Sequence, residues 1–176
     1  MTTPPPFVYR PLQSQDEDLL LDYLEKLSPQ TRHRFGPHPY DRQAIRDFYK
    51  PENQHLGFVA IEPQQPSIIA YAIIKYGFLP HDAPRLEGYG LELNAFTDCT
   101  FAPSVADEWQ GRGIGSGLFD FILTGLKAQG KKRLILWGGV QASNERAITY
   151  YLKKGFRILG EFEYHGQNLD MVLDII

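Results

Sequence analysis

The sequence predicts a mixed α/β fold, with a sheet of about seven strands flanked by about four helices. Two observations predict it. Segments with apolar residues at helical spacing alternate with segments rich in β-branched and aromatic residues, in the order strand, two helices, three strands, helix, strand, helix, two strands. The chain of 176 residues, 43% hydrophobic and 22% charged, is long enough for one core and short of two, so a single domain over 1–176 is expected.

Phe7–Leu12 reads as a short first strand. Ser14 and Glu17 have the spacing of a capping box, and Leu19, Leu20, Tyr23, Leu24 and Leu27 continue as a helix that stops near Ser28-Pro29. A polar stretch, Thr31–Tyr40, reads as a loop before Asp41, which can cap a second helix through Ile45, Phe48 and Tyr49 that Pro51 ends. The period then changes. His55–Glu62 and Ser67–Phe78 read as strands joined by Pro63-Gln64-Gln65-Pro66, and Leu79–Gly90 as a Pro/Gly-rich loop. A further strand is expected from Leu91 to Ala106, bulged or unpaired at Pro103, which has no N–H for the ladder.

Gly111–Gln129 carries the clearest helical stripe, Ile114, Leu118, Phe121, Ile122 and Leu126, with Gly130 placed as the C-terminal cap. Arg133–Trp137 reads as a buried strand. Ser143 is the expected cap of a helix whose apolar face is Ala147, Ile148, Tyr151 and Leu152 and which Gly155 ends. Phe156–Tyr164 and Asn168–Ile175 read as a hairpin around His165-Gly166.

Composition excludes several function classes. Cys99 is the only cysteine, so neither an internal disulfide nor a cysteine-based zinc site is available. The longest apolar run, Ile68–Ile74, has seven residues where a membrane span needs about 20. Met1–Pro6 has neither a basic start nor an apolar stretch, so no secretory leader is expected and the cytoplasm is the expected compartment. The net charge is −3 with no basic stripe, which argues against nucleic acid as a partner. Residues 1–99 carry 9 basic and 13 acidic side chains and residues 100–176 carry 9 and 8, a split that suits a cationic partner on one side and an anionic one on the other.

The chemistry hangs on Gln110-Gly111-Arg112-Gly113-Ile114-Gly115-Ser116-Gly117, between a strand end and a helix start. Glycines there let a ligand approach the backbone, and a helix N-terminus presents N–H groups to an anion. A dinucleotide fingerprint, G-x-G-x-x-G, fits no register, because Ser116 and Leu118 fall where the last glycine belongs. A P-loop lacks its Lys and Ser/Thr. Gln-x-x-Gly-x-Gly is met by Gln110, Gly113 and Gly115. Tight-turn glycines, a helix-start Asn144 and a core aromatic at Tyr151 are the plain structural alternatives.

That last pattern resembles the pyrophosphate-binding motif of the GNAT superfamily of N-acyltransferases, which use acetyl-CoA. A second motif similar to the family's lies downstream, at Asn144, Ala147, Tyr151, Gly155 and Phe156. The two motifs cover about residues 99–160, and the layout of elements is similar to the family fold along nearly the whole chain, which implies a mostly antiparallel sheet. The resemblance implies that Gln110, Gly111, Arg112, Gly113, Ile114, Gly115 and Ser116 hold the coenzyme's pyrophosphate. It implies further that Ser104 and Val105, on a splayed strand, bind the pantetheine arm, with the Val105 N–H polarising the thioester carbonyl. Asn144 would contact the same arm and Tyr151 would be the general acid. A phenol with pKa about 10 stays protonated at neutral pH, which suits that role. Tyr150, one residue round the helix, is the weaker candidate.

The sequence departs from the family at the base. Positions that carry Glu in many relatives are Thr100 and Gly139 here. Glu92 and Asp98 read as surface charges, and His33 and His38 as loop histidines of suitable pKa range, so the base is unassigned. Cys99 reads as a small buried hydrophobe, which favours direct transfer over an acyl-enzyme. The resemblance thus implies an acetyl-CoA-dependent N-acetyltransferase. Its acceptor would be a primary amine of a small molecule or a peptide N-terminus, bound over the first two helices and Thr31–Tyr40. A homodimer is possible within such a family, and a non-catalytic acyl-CoA-binding module of the same fold is the alternative.

Overall fold

In the computed structural model the described residues are 7–176; Met1–Pro6, on which the expectation about a leader rests, lies outside them. Among the described residues, eight strands and six α-helices replace the expected seven or so and four or so, with the same fold class. The strands form one sheet in the order β1-β2-β3-β4-β5-β8-β6, with β7 paired to β8. The chain divides into two compact units, one of residues up to Ile74 with Ala102–Gly125, the other of Lys75–Phe101 with Leu126–Ile176.

The first unit opens with β1 (Val8–Pro11), antiparallel to β2 (His55–Glu62). The expected Ser14–Glu17 box does not form. Asp16, buried in a 3-10 turn, accepts the Gln13 N–H at 2.8 Å and binds Arg10 at 2.6 and 2.8 Å, while Glu17 is drawn off to Arg42 and Arg46. Helix α1 (Glu17–Lys26) buries Leu20, Tyr23 and Leu24. The expected loop after it contains α2 (Pro29–Arg34), because Pro29 both stops α1 and occupies the first turn of the next helix, whose cap is Ser28. Arg32 of α2 donates to the carbonyls of Leu24, Glu25 and Leu27, which closes the C-terminus of α1. Asp41 caps α3 (Arg42–Phe48), accepting the Ala44 N–H at 2.9 Å.

Strand β3 (Ser67–Tyr76) is buried almost throughout, as a central strand should be. Strand β4 (Asp98–Val105) is shorter than expected and Pro103 sits in it without a bulge. The bonds from the Ala106 N–H to Ile69 and from the Gly77 N–H to Asp98 turn the backbone groups of even-numbered β4 residues toward β3. The Pro103 nitrogen therefore faces the other edge, where it owes no bond to β3. Helix α5 (Ile114–Ala128) buries Ile114, Leu118, Phe119 and Ile122. Phe121, expected on that stripe, is 40% exposed and meets Phe58 edge-on.

In the second unit, the expected Leu79–Gly90 loop contains α4 (Ala83–Gly88), again with proline in its first turn. Leu86 packs with Leu91, Ile135 and Val172, which is why Leu91 leaves the expected strand. Strand β5 (Arg133–Leu136) runs parallel to the first half of β4 and antiparallel to β8 (Gln167–Asp174). Pairing with β8 resumes at the two-residue β6 (Val140–Gln141) after Gly138 and Gly139, both at positive φ. Gly130 ends α5 at φ 74, its N–H on the Lys127 carbonyl. Helix α6 (Glu145–Lys153) is capped by Asn144, not Ser143, and Leu152 points outward at 48% exposure. Strand β7 (Arg157–Glu163) and β8 close the hairpin around His165-Gly166. No helix among the described residues is long and apolar enough to cross a membrane.

Candidate functional site

In the first unit, the last residues of β4 lead into the glycine turn. The ladder between β4 and β5 covers Asp98–Phe101 and stops there, so the edge from Ala102 to Val105 lies beyond it. By the alternation set at Ala106 and Asp98, the backbone groups of Pro103 and Val105 lie on that edge. The Val105 carbonyl accepts from the Gln110 side chain at 3.1 Å, so the motif glutamine straps the turn back onto the strand. Gly111 and Gly113 adopt φ 76 and 81, left-handed values that let the chain reverse into α5. The first α5 bond runs from the Gly117 N–H to the Gly113 carbonyl at 3.0 Å, so the N–H groups ahead of it lie outside the helix ladder and on its positive end. A Cβ on Gly115 would lie 3.2 Å from the Val105 Cγ2, and one on Gly113 would face open space. Arg112 stacks on Trp109, its guanidinium 4.8 Å from the ring centre.

Ser104 is engaged on its side-chain side. Its Oγ lies 2.9 Å from the Tyr71 carbonyl and 2.8 Å from the Tyr23 hydroxyl. Asp107, just before the turn, accepts from the Ser28 and Thr31 hydroxyls at 2.7 Å each and from the Ser28 N–H at 2.9 Å. These bonds hold the α1–α2 corner. Burial works against the Asp107 charge, yet the Ser28 and Thr31 bonds outweigh it and lower the pKa.

His38 is buried, against the expectation of an exposed loop histidine. Its Nδ1 lies 2.7 Å from the Pro39 carbonyl and must carry the proton, which leaves Nε2 to accept from the Tyr71 hydroxyl at 3.0 Å. The Tyr71 hydrogen being spent there, Tyr49 donates to Tyr71. Burial pushes the His38 pKa down, so both nitrogens of a neutral ring are committed to structure. His33 lies exposed on α2.

In the second unit, α6 presents the downstream motif. Asn144 accepts the Ala147 N–H at 3.4 Å as the cap, and its amide NH₂ makes no hydrogen bond among the described residues. The Tyr151 ring is 7% exposed, between Tyr150 and Phe156. Its hydroxyl makes no hydrogen bond among the described residues. Burial, then Tyr150, raises the Tyr151 pKa, which keeps the phenol protonated. Tyr150 lines a shallow surface depression of about 360 Å³ with Glu145, Arg146, Thr149 and Lys153.

Neither expected base position offers a carboxylate. Thr100 is buried and donates to the Gly77 carbonyl at 2.9 Å. Gly139 has φ 72, and a Cβ there would lie 2.6 Å from the Leu169 carbonyl oxygen, so no side chain fits. Asp98, read as a surface charge, is 2% exposed at the start of β4, holding the Asn94 N–H and facing Arg133. Burial raises its pKa. Cys99 is fully buried and burial lifts its thiol to about 11. Glu92 lies exposed in the loop before β4. Sequence reasoning missed Tyr23, whose place on the α1 stripe signals only burial; its hydroxyl partner is 81 residues away.

A family model described as the acetyltransferase (GNAT) family matches residues 20–156. No curated protein sequence matches the chain. Solved structures do. The GNAT domain of PAT from S. lividans is 21% identical, with 94% of this chain and 89% of that one covered and a TM-score of 0.72. An N-acetyltransferase from Staphylococcus aureus is 22% identical over 97% and 99%, with a TM-score of 0.68. A ribosomal-protein-alanine N-acetyltransferase from Escherichia coli is 20% identical over 96% and 94%, with a TM-score of 0.63. At these identities the likeness is one of fold.

Proposed function

The chain belongs to the GNAT acetyltransferase family, and on that premise we propose that it transfers an acetyl group from acetyl-CoA to a primary amine by direct attack. The observation that carries this reading is the pairing of a β4 edge beyond its β5 ladder with a glycine turn at the start of α5. GNAT enzymes generally draw their acyl group from acetyl-CoA, and the residues fit such a donor. The turn has a left-handed backbone, no Cβ at 111, 113 or 115, and a helix N-terminus suited to a pyrophosphate. Arg112, stacked on Trp109, adds positive charge beside it.

Each residue has one task in this reading. The Val105 N–H donates to the thioester oxygen as negative charge grows there. Ser104 backs the edge along which the pantetheine arm lies, since its hydroxyl is committed to Tyr71 and Tyr23 and its backbone groups turn toward β3. The Asn144 amide NH₂ donates to the same arm. The neutral amine nitrogen forms the new bond to the acetyl carbon as the carbon–sulfur bond breaks. The departing sulfur takes the Tyr151 O–H proton, while the proton the nitrogen sheds passes to solvent, from which Tyr151 is reprotonated. The acceptor is a small-molecule amine or a peptide N-terminus; the Escherichia coli protein is named for an alanine of a ribosomal protein.

A screen for acetyl-CoA consumption across small amines, amino acids and peptides tests the reading, with turnover expected for at least one class. The lack of a carboxylate at Thr100 and Gly139 favours one second reading, a non-catalytic acyl-CoA-binding module. Tight coenzyme A binding with no turnover on any amine would support that module instead.

A further inference from the structure

The end of β4 around Val105 is held from four sides. Toward β3, the Ala106 N–H bonds the Ile69 carbonyl at 2.9 Å. On the opposite edge, Gln110 bonds the Val105 carbonyl at 3.1 Å. On the α5 face, the Val105 side chain rests over Gly115, where a Cβ would be 3.2 Å from Cγ2. On the remaining face the hold comes from α1. The Ser104 hydroxyl has a single hydrogen and gives it to the Tyr71 carbonyl at 2.9 Å. It must therefore accept from the Tyr23 hydroxyl at 2.8 Å, which fixes the direction of the chain as Tyr23 to Ser104 to Tyr71.

All three members are buried, and Tyr71 meets the Tyr23 ring edge-on, with ring centres 6.3 Å apart. Tyr23 is 3% exposed, and Ser104 is its hydroxyl's partner. Burial raises its pKa, so it remains a donor. The strand it holds has already parted from β5 at Phe101. A strand end with one strand neighbour shifts easily, whereas a donor aimed at a reacting carbonyl must be held within about 0.5 Å.

We infer that Tyr23 is a positioning residue for the acyl-transfer step: acting through Ser104, it holds the end of β4 so that the Val105 N–H stays aimed at the thioester carbonyl. This rests on the role proposed above for Val105. Tyr23 touches neither substrate nor coenzyme in this account. Its hydroxyl supplies the α1-side hold that the Gln110 strap and the Gly115 contact do not.

Infrared spectra of [1-¹³C]acetyl-CoA bound to the full-length protein test it without knowledge of the acceptor. The thioester C=O stretch should lie at lower frequency on the wild-type protein than in water. Tyr23→Phe should return roughly half or more of that shift toward the value in water, while coenzyme A affinity changes less than about threefold. Ser104→Ala should do the same, and the double variant should resemble Ser104→Ala alone because both act along one chain. Leu24→Ala, which hollows the same helix face without touching Ser104, should lower the melting temperature and leave the frequency in place. A wild-type frequency in folded Tyr23→Phe and Ser104→Ala overturns the inference, as does an equal change in Leu24→Ala. A wild-type frequency identical to that in water overturns the role of Val105 itself, a separate outcome. Should Tyr23→Phe fail to fold, Ser104→Ala alone decides between these results.

Discussion

Tyr151 and His38 differ in how much of their role a residue type announces. Spacing alone places Tyr151 in the downstream motif, four residues before Gly155, and its ring is buried between Tyr150 and Phe156. Tyr151→Phe should lower turnover by roughly 10²–10⁴ with coenzyme A affinity nearly unchanged, and Tyr150→Phe should do much less. Steady-state kinetics with coenzyme A binding measured alongside checks both. His38 was not legible, because its burial depends on Tyr71, 33 residues on. Burial depresses its folded-state pKa below the unfolded value of about 6.5, so the unfolded chain binds the proton more readily. Stability should be unaffected by this group above about pH 7 and should fall as pH drops through 6.5 toward the folded pKa. Chemical denaturation at pH 7.5 and 5.5 should show the wild type losing more stability over that interval than His38→Gln.

The elements show where local rules suffice. The glycine turn needs only its own backbone: Gly113 is left-handed, and Gly115 has Val105 against it. Gly115→Val should therefore press on Val105 and weaken coenzyme A binding at least tenfold, with a modest loss of melting temperature, measurable by calorimetric titration and thermal unfolding. Helices α2 and α4 were hidden because Pro29 and Pro84 read as breakers, although proline in a first turn gives up an N–H that has no helical partner. Helix α4 is also fastened by a contact that spacing does not reveal. Arg85 donates to the buried Asp170 at 2.6 and 3.0 Å, and Tyr89 donates to the same carboxylate at 2.9 Å. Arg85→Met should cost about 3 kcal/mol in a denaturant titration, because Asp170 would keep a buried charge without its cation. Strand β6 was missed for a simpler reason. Two residues carry no period.

For the whole molecule, the absence of a carboxylate at the two family base positions has a kinetic consequence. Thr100 is spent on Gly77, and Gly139 has no room for a side chain. His38, with both ring nitrogens committed, does not take their place. The acceptor's own ionisation should then govern its rate. A lysine-like amine of pKa about 10.4 is only about 0.04% neutral at pH 7, against about 14% for an α-amino group near 7.8. With a high-pKa acceptor, kcat/KM should climb close to tenfold per pH unit up to about pH 9. A plateau already at about pH 7 would reveal a working base.

By itself the sequence determined the alternation of helical and extended segments, the glycine turn at the head of α5, the helix bearing Tyr151, and through two spaced motifs the family. These are matters of nearest neighbours: a period of side chains, a φ that only glycine adopts readily, a cap one turn from its N–H. Tertiary structure alone decided that Pro103 lies at a register position owing no bond to β3, that Asp98 and His38 are buried, that Gly139 excludes a side chain, and that Tyr23 reaches Ser104. Each of those depends on a partner tens of residues away, and burial and hydrogen-bond direction take their values only once the chain has closed on itself.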